Sequence, residues 1–124
     1  MLSGQFPIRG NKLLYKGLVG QDLTLDEARE AAALAAINSL AQIDHYLNGL
    51  DGLATILRLD GTVASAPDFY NQSGVLDAAS DVLLTYLGAE KGRHTRSAYG
   101  VSVLPHNASI ELTLIFFVNQ PDVS

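Results

Sequence analysis

The segment Ile110-Glu111-Leu112-Thr113-Leu114-Ile115-Phe116-Phe117-Val118 constrains the fold more than any other part of the chain. Side chains alternate between the faces of a strand, so Ile110, Leu112, Leu114, Phe116 and Val118 share one face. Glu111, Thr113, Ile115 and Phe117 take the other, and in the second half both faces are apolar. Helices of the same chain can cover one face; the other needs a separate cover. A second copy of the chain is the expected cover, because closed homo-oligomers are the usual assembly. The competing reading is a strand that curls and tucks Phe117 under a loop. Only 17% of residues are charged, against about 25% in an ordinary domain. That shortage is expected to reside in an uncharged sheet face hidden within the assembly.

Two helices supply the first cover. Thr24-Leu25-Asp26-Glu27 has the form of a capping box, and Ala28, Leu34, Ile37, Leu40, Ala41 and Leu47 recur at helical spacing until Gly49. Alanines keep this helix thin enough to lie close on a sheet. Val75, Ala79, Val82, Leu83, Tyr86 and Leu87 predict a second helix over 75–87, closed by Gly88. Strands are expected over 4–8 and 13–19, paired as a hairpin around Arg9-Gly10-Asn11, and over 53–64. A second hairpin is expected from 95–104 and 109–118 around Pro105-His106-Asn107-Ala108. The order ββ-α-β-α-ββ implies an α+β fold, a five-strand sheet with two helices on one face. At 124 residues the chain reads as a single domain, 1–124.

Composition removes several functions. The absence of cysteine excludes disulfides, thiol nucleophiles and zinc–thiolate sites. A formal charge of −5 argues against nucleic acid as a partner, since such binding requires many neutralised phosphates. The three histidines are scattered without metal-ligand spacing, so no metal site is expected. The most apolar run, 112–118, is far shorter than the roughly 20 residues of a membrane-spanning helix, and Met1-Leu2-Ser3-Gly4-Gln5 lacks the features of a secretion signal. A cytoplasmic protein with no membrane partner is the expectation.

Chemistry concentrates in Lys91-Gly92-Arg93-His94-Thr95-Arg96-Ser97. Strand alternation sends Arg96 to one side and Thr95 and Ser97 to the other. An arginine fixed on a strand can grip a carboxylate with two parallel hydrogen bonds. A solvated basic turn paired with Glu90 or Asp81 accounts for the same spacing equally well. His94 can act as an acid or base near neutral pH, but no paired carboxylate is spaced to complete a triad, which favours a surface or interface role.

Ser3-Gly4-Gln5-Phe6-Pro7, the capped alanine-rich helix, Ser65-Ala66-Pro67-Asp68-Phe69, and Gly92-Arg93-His94-Thr95-Arg96-Ser97-Ala98 with Leu104-Pro105 occur in that order. Together they resemble the reactive intermediate deaminase family (RidA, also called YjgF or L-PSP endoribonuclease-like), in its longer "GRHARSAVGV" subgroup. The resemblance implies a chorismate-mutase-like α+β fold, assembled as a homotrimeric barrel with ligand clefts between subunits. It implies hydrolysis of enamines and imines to 2-keto acids and ammonia without a cofactor. Arg96 matches the arginine that grips the substrate carboxylate and Gly4 a backbone contact; Ser3, Asp77 and Ala98 match neighbouring cleft positions.

Three departures bear on activity. The acidic residue that positions water falls at Thr113, with Glu111 two residues earlier on the same face as a conceivable substitute. A cleft asparagine becomes Asp77. The resemblance implies a further strand before the Ser3-Gly4-Gln5 segment, where this sequence has only Met1-Leu2; either that strand is missing or the start is truncated. The leading expectation is therefore a trimer that binds small carboxylates or their imine precursors, with weak or altered deaminase activity. A non-catalytic ligand-binding or regulatory trimer is the runner-up. Chorismate-mutase-like chemistry, with Arg58, Arg93 and Arg96 clamping a dianion, comes third.

Overall fold

The computed structural model describes residues 1–120, the side chain of Ser3 excepted. Three short strands, β1 (Leu2–Gln5), β2 (Ile8–Arg9) and β3 (Lys12–Leu13), lead to the long helix α1 (Leu25–Leu47). Then follow β4 (Leu53–Ala64), α2 (Gln72–Gly92), β5 (Thr95–Val101) and β6 (Ile110–Val118). The main sheet has four strands in the order β1-β6-β4-β5, and β2 with β3 forms a separate small hairpin.

α1 begins where the capping box puts it. The Glu27 backbone N–H donates to Thr24 Oγ1 at 3.1 Å and the Thr24 N–H donates to Glu27 Oε1 at 3.0 Å. Asn48, in the left-handed conformation, ends the helix one residue before the expected glycine. Ala28, Ala31, Ala32, Ala35 and Ala36 are buried in a single core with Leu59, Val63, Leu76, Leu83, Leu112 and Leu114. Both helices cover one face of the sheet, as the sequence implies.

The strand pairing differs from the expectation in three respects. β5 runs parallel to β4, from Arg58 opposite Thr95 to Ala64 opposite Val101, and does not pair with β6. The predicted 95–104/109–118 hairpin is therefore absent: a strand–helix–strand order builds a parallel crossover, and the chain then passes the end of β4 to reach β6. The first hairpin shrinks to two residues on each side, while Leu2 and Gln5 pair with Leu114 and Leu112 of β6. The sheet consequently has four strands, not five.

Register decides which residues share a face. On β6, Ile110, Leu112 and Leu114 are buried beneath the helices, whereas Glu111, Thr113 and Ile115 are half-buried on the open face and Phe117 is 55% exposed. Opposite them on β4 stand Thr62, Asp60, Arg58 and Thr55. The expectation of an uncharged open face is thus corrected: its centre carries Arg58, Asp60 and Glu111, and only the Ile115–Phe117 end is apolar. Alternation along two neighbouring strands brings these charges to one surface.

One glycine sets the distance between α2 and the sheet. A Cβ on Gly61 would lie 2.3 Å from Leu76 Cδ1, and Leu76 is fully buried. Gly61→Ala should lower the unfolding free energy by about 1–3 kcal/mol through overpacking, read from a urea titration. An unchanged midpoint would mean that Leu76 moves aside freely.

Candidate functional site

The residues proposed from the sequence divide between two surfaces. Arg96 lies on β5, opposite Leu59 of β4, and so faces the helix side. Its Nη1 donates to Asp77 Oδ1 on α2 at 2.8 Å and to Ser80 Oγ at 3.2 Å. The pairing partner is Asp77, neither Glu90 nor Asp81. The Arg96 side chain retains 26% exposure and that of Asp77 54%, so the pair sits at a solvent boundary. Ala98 shares this face and packs partly against the core.

His94 binds through both ring nitrogens. Nδ1 is 2.6 Å from the Gly92 carbonyl oxygen and Nε2 is 2.9 Å from Ser80 Oγ. Arg93, Arg96, Ser80, His94, Leu84 and Ala89 line a groove of about 430 Å³. The basic segment thus forms one wall of this groove, with Gly92 buried, His94 half-buried, and Arg93 and Arg96 exposed to solvent.

Glu111 and Thr113 occupy the opposite, open face. Thr113 is directly across from Asp60, and Glu111 across from Thr62. Arg58 Nε donates to both Asp60 oxygens, at 2.8 and 3.0 Å, and Ser97 Oγ donates to Asp60 Oδ1. Asp60 was not singled out from the sequence, and Ser97 only as a member of the basic segment. Their signal was available in Arg58-x-Asp60 on one strand and Ser97 at alternate spacing on another, but it needed the β4–β5 register to become visible. The same register puts Arg58 and Arg96 on opposite faces, so one subunit does not assemble the Arg58–Arg93–Arg96 dianion clamp.

Gly4 sits in an irregular stretch of β1 with φ of 68°, a conformation that favours glycine. Its Cβ direction points to Glu111 Oε2, 3.8 Å away. β1 and β5 are the two edges of the sheet, with β6 and β4 between them. At about 4.8 Å per strand, Gly4 and Arg96 are held roughly 14 Å apart within one chain. Ser3 belongs to β1, its side chain outside the described part. Among the described residues no three His, Asp or Glu side chains gather as metal ligands would, and no helix is long and apolar enough to cross a membrane.

Tyr15 donates its hydroxyl to Glu30 Oε2 at 3.0 Å, and this bond, more than burial, raises the phenol above its usual value. It ties the entry loop to α1.

Two helices on one face of a mixed sheet, with polar groups at its edges, define an α+β protein of the chorismate-mutase-like class. The family model "YjgF/chorismate_mutase-like, putative endoribonuclease" matches residues 1–119. The chain belongs to the YjgF family. It is 36% identical to protein TCP17 of Trypanosoma cruzi over 119 residues, covering 96% of this chain and 74% of that protein. A solved protein of unknown function from Agrobacterium tumefaciens superposes with a TM-score of 0.91 at 43% identity, over 94% of this chain and 74% of the other. A Shewanella oneidensis structure with the same endoribonuclease description gives 0.88 at 37%, over 92% and 75%.

The Arg96–Asp77 pair is screened by water and should contribute little to folding. Asp77→Ala is expected to change stability by less than about 1 kcal/mol in urea unfolding. A loss of several kcal/mol would show that the pair holds β5 onto α2.

Proposed function

We propose that this chain acts as a homotrimer whose inter-subunit clefts bind small carboxylates, 2-keto acids or their enamine and imine precursors, through Arg96, with weak imine hydrolysis. The observation that carries this reading is the separation of Gly4 and Arg96 on opposite sheet edges. A cleft that uses both must draw them from two copies. The exposed apolar end of the open face, with Phe117 at 55% exposure, supplies a surface for such a copy to cover.

The chemistry follows from three requirements: a held carboxylate, a placed water and a group to move a proton. Arg96 meets the first. Asp77 and Ser80 fix one edge of its guanidinium, and the remaining N–H groups can form a two-bond fork with a ligand carboxylate. Water adds to the imine carbon, the nitrogen gains a proton, and ammonia leaves as the carbonyl forms. Thr113 can hold a water by hydrogen bonding but is a poor base. Glu111, beside Gly4, and Asp60, across from Thr113, bring carboxylates to the same face.

The hydroxyl at position 113 favours a second reading, a ligand-binding trimer without turnover. The formal charge of −5 gives the endoribonuclease description no electrostatic support as a function of this chain. When 2-aminoacrylate is generated in situ, wild-type protein should accelerate keto-acid release and Arg96→Ala should not. Arg96-dependent binding of a keto acid in calorimetry without acceleration would select the binding reading, and no Arg96-dependent effect of either kind would overturn both.

Assembly has its own measurement. Three copies of a 13.2 kDa chain should give a light-scattering mass of about 40 kDa. A mass near 13 kDa would refute the trimer.

A further inference from the structure

We propose that Ser80 and His94 form a second reactive centre: a nucleophile–base pair that accepts acyl groups from esters or thioesters of small anionic acids. The pair lies within one subunit and does not depend on the keto-acid reading. Its geometry assigns the roles. A carbonyl oxygen can only accept, so the 2.6 Å contact with the Gly92 carbonyl puts the imidazole proton on Nδ1. Nε2 then presents its lone pair to the Ser80 hydroxyl at 2.9 Å. Nucleophile, base and orienting acceptor thus stand in the order that hydroxyl activation needs, with a backbone carbonyl in the third place.

The orienting carbonyl lies where the chain packs closely on itself. A Cβ on Gly92 would lie 2.7 Å from the Leu83 carbonyl oxygen, so only glycine lets the end of α2 approach the turn at Leu83 this closely. Gly88, with φ of 80°, breaks the helical run and permits that approach. Ser80 Oγ meanwhile accepts from Arg96 Nη1 at 3.2 Å, a contact that favours negative charge on the oxygen. The hydroxyl borders the 430 Å³ groove whose wall also carries Arg93 and Arg96. Two guanidinium groups beside a hydroxyl nucleophile select an acid with a second negative charge.

The reaction balances with water as the only co-reactant. Ser80 Oγ bonds to the carbonyl carbon while its proton passes to His94 Nε2. The carbon–oxygen or carbon–sulfur bond to the leaving group breaks, and the departing alcohol or thiol takes that proton. Water, deprotonated in turn by Nε2, releases the acid and restores Ser80.

A fluorophosphonate probe followed by peptide mass mapping tests the pair on the intact chain. Ser73, exposed on the same helix, serves as an internal comparison. The expected result is an adduct at Ser80 at least tenfold faster than at Ser73, lost in urea, and slowed at least tenfold by His94→Gln. No adduct at Ser80, equal rates at the two serines, or an unslowed His94→Gln protein with native circular dichroism would each overturn the proposal. Should His94→Gln fail to fold, the comparison of Ser80 with Ser73 in native and urea-unfolded wild type decides alone. For the substrate class, p-nitrophenyl hemisuccinate should turn over several-fold faster than p-nitrophenyl acetate; the reverse order would refute the anionic preference.

Discussion

The antiparallel ladder between β4 and β6 governs the rest of the molecule. It runs from Leu53 opposite Val118 to Val63 opposite Ile110, with irregularities at 53–55 and 56–58. Because strand side chains alternate, a slip of one residue would lift Ile110, Leu112 and Leu114 out of the core and push Glu111 and Thr113 under the helices. Each buried leucine or isoleucine contributes about 1.5–3 kcal/mol, so the register is strongly selected. The same selection settles the chemistry. Once Leu59 faces α2, its ladder partner on β5, Arg96, must face α2 as well, and Asp60, Ser97 and Thr113 must face away.

Much of the fold was legible because its signals are local. The capping box at Thr24, the alanine spacing of α1 and the alternation of β6 each read out within one element. Pairing was less legible. The turn at Pro105-His106-Asn107-Ala108 looks like a hairpin connection, and His106 and Asn107 do adopt left-handed conformations there. A tight bend, however, does not decide which strand the chain meets next. The β4-α2-β5 order carried the stronger information, since a crossover helix of this length places its two strands side by side and parallel. That inserts β5 at the edge and leaves the side of β4 away from it to β6.

The site divided along the same line. Alternation alone separated Arg96 from Thr95 and Ser97, but the face it takes and its pairing with Asp77, where the sequence offered Glu90 or Asp81, depend on the β4–β5 register. Asp60 could not be found this way, because a lone Arg-x-Asp pair on a strand is ordinary surface. It becomes notable only when β5 brings Ser97 beside it and β6 brings Thr113 across from it. The Ser80–His94 contact spans 14 residues of chain and depends on a backbone return that Gly88 and Gly92 permit. In the sequence Gly88 reads as the end of a helix and Gly92 as a residue that allows a backbone bend, but neither shows that the bend brings His94 to Ser80.

In the proposed trimer it is the sheet edges, not its faces, that would tie chemistry to assembly. Among the described residues β1 and β5 are the edges of the main sheet, and Gly4 and Arg96 sit on those two strands. In that trimer, a carboxylate held between Gly4 of one copy and Arg96 of another would bind only the assembled form. By mass action, such a ligand stabilises the assembly as the assembly stabilises its binding. The Ser80–His94 pair obeys no such coupling, since α2 and β5 of a single chain complete it. Arg96 would serve both proposed arrangements: Asp77 and Ser80 accept from its Nη1, and its other N–H groups remain to meet a ligand. The scarcity of charge therefore does not mark an empty face. The chain's charges instead include the Arg58–Asp60 pair on the open face and the Arg96–Asp77 pair on the helix side.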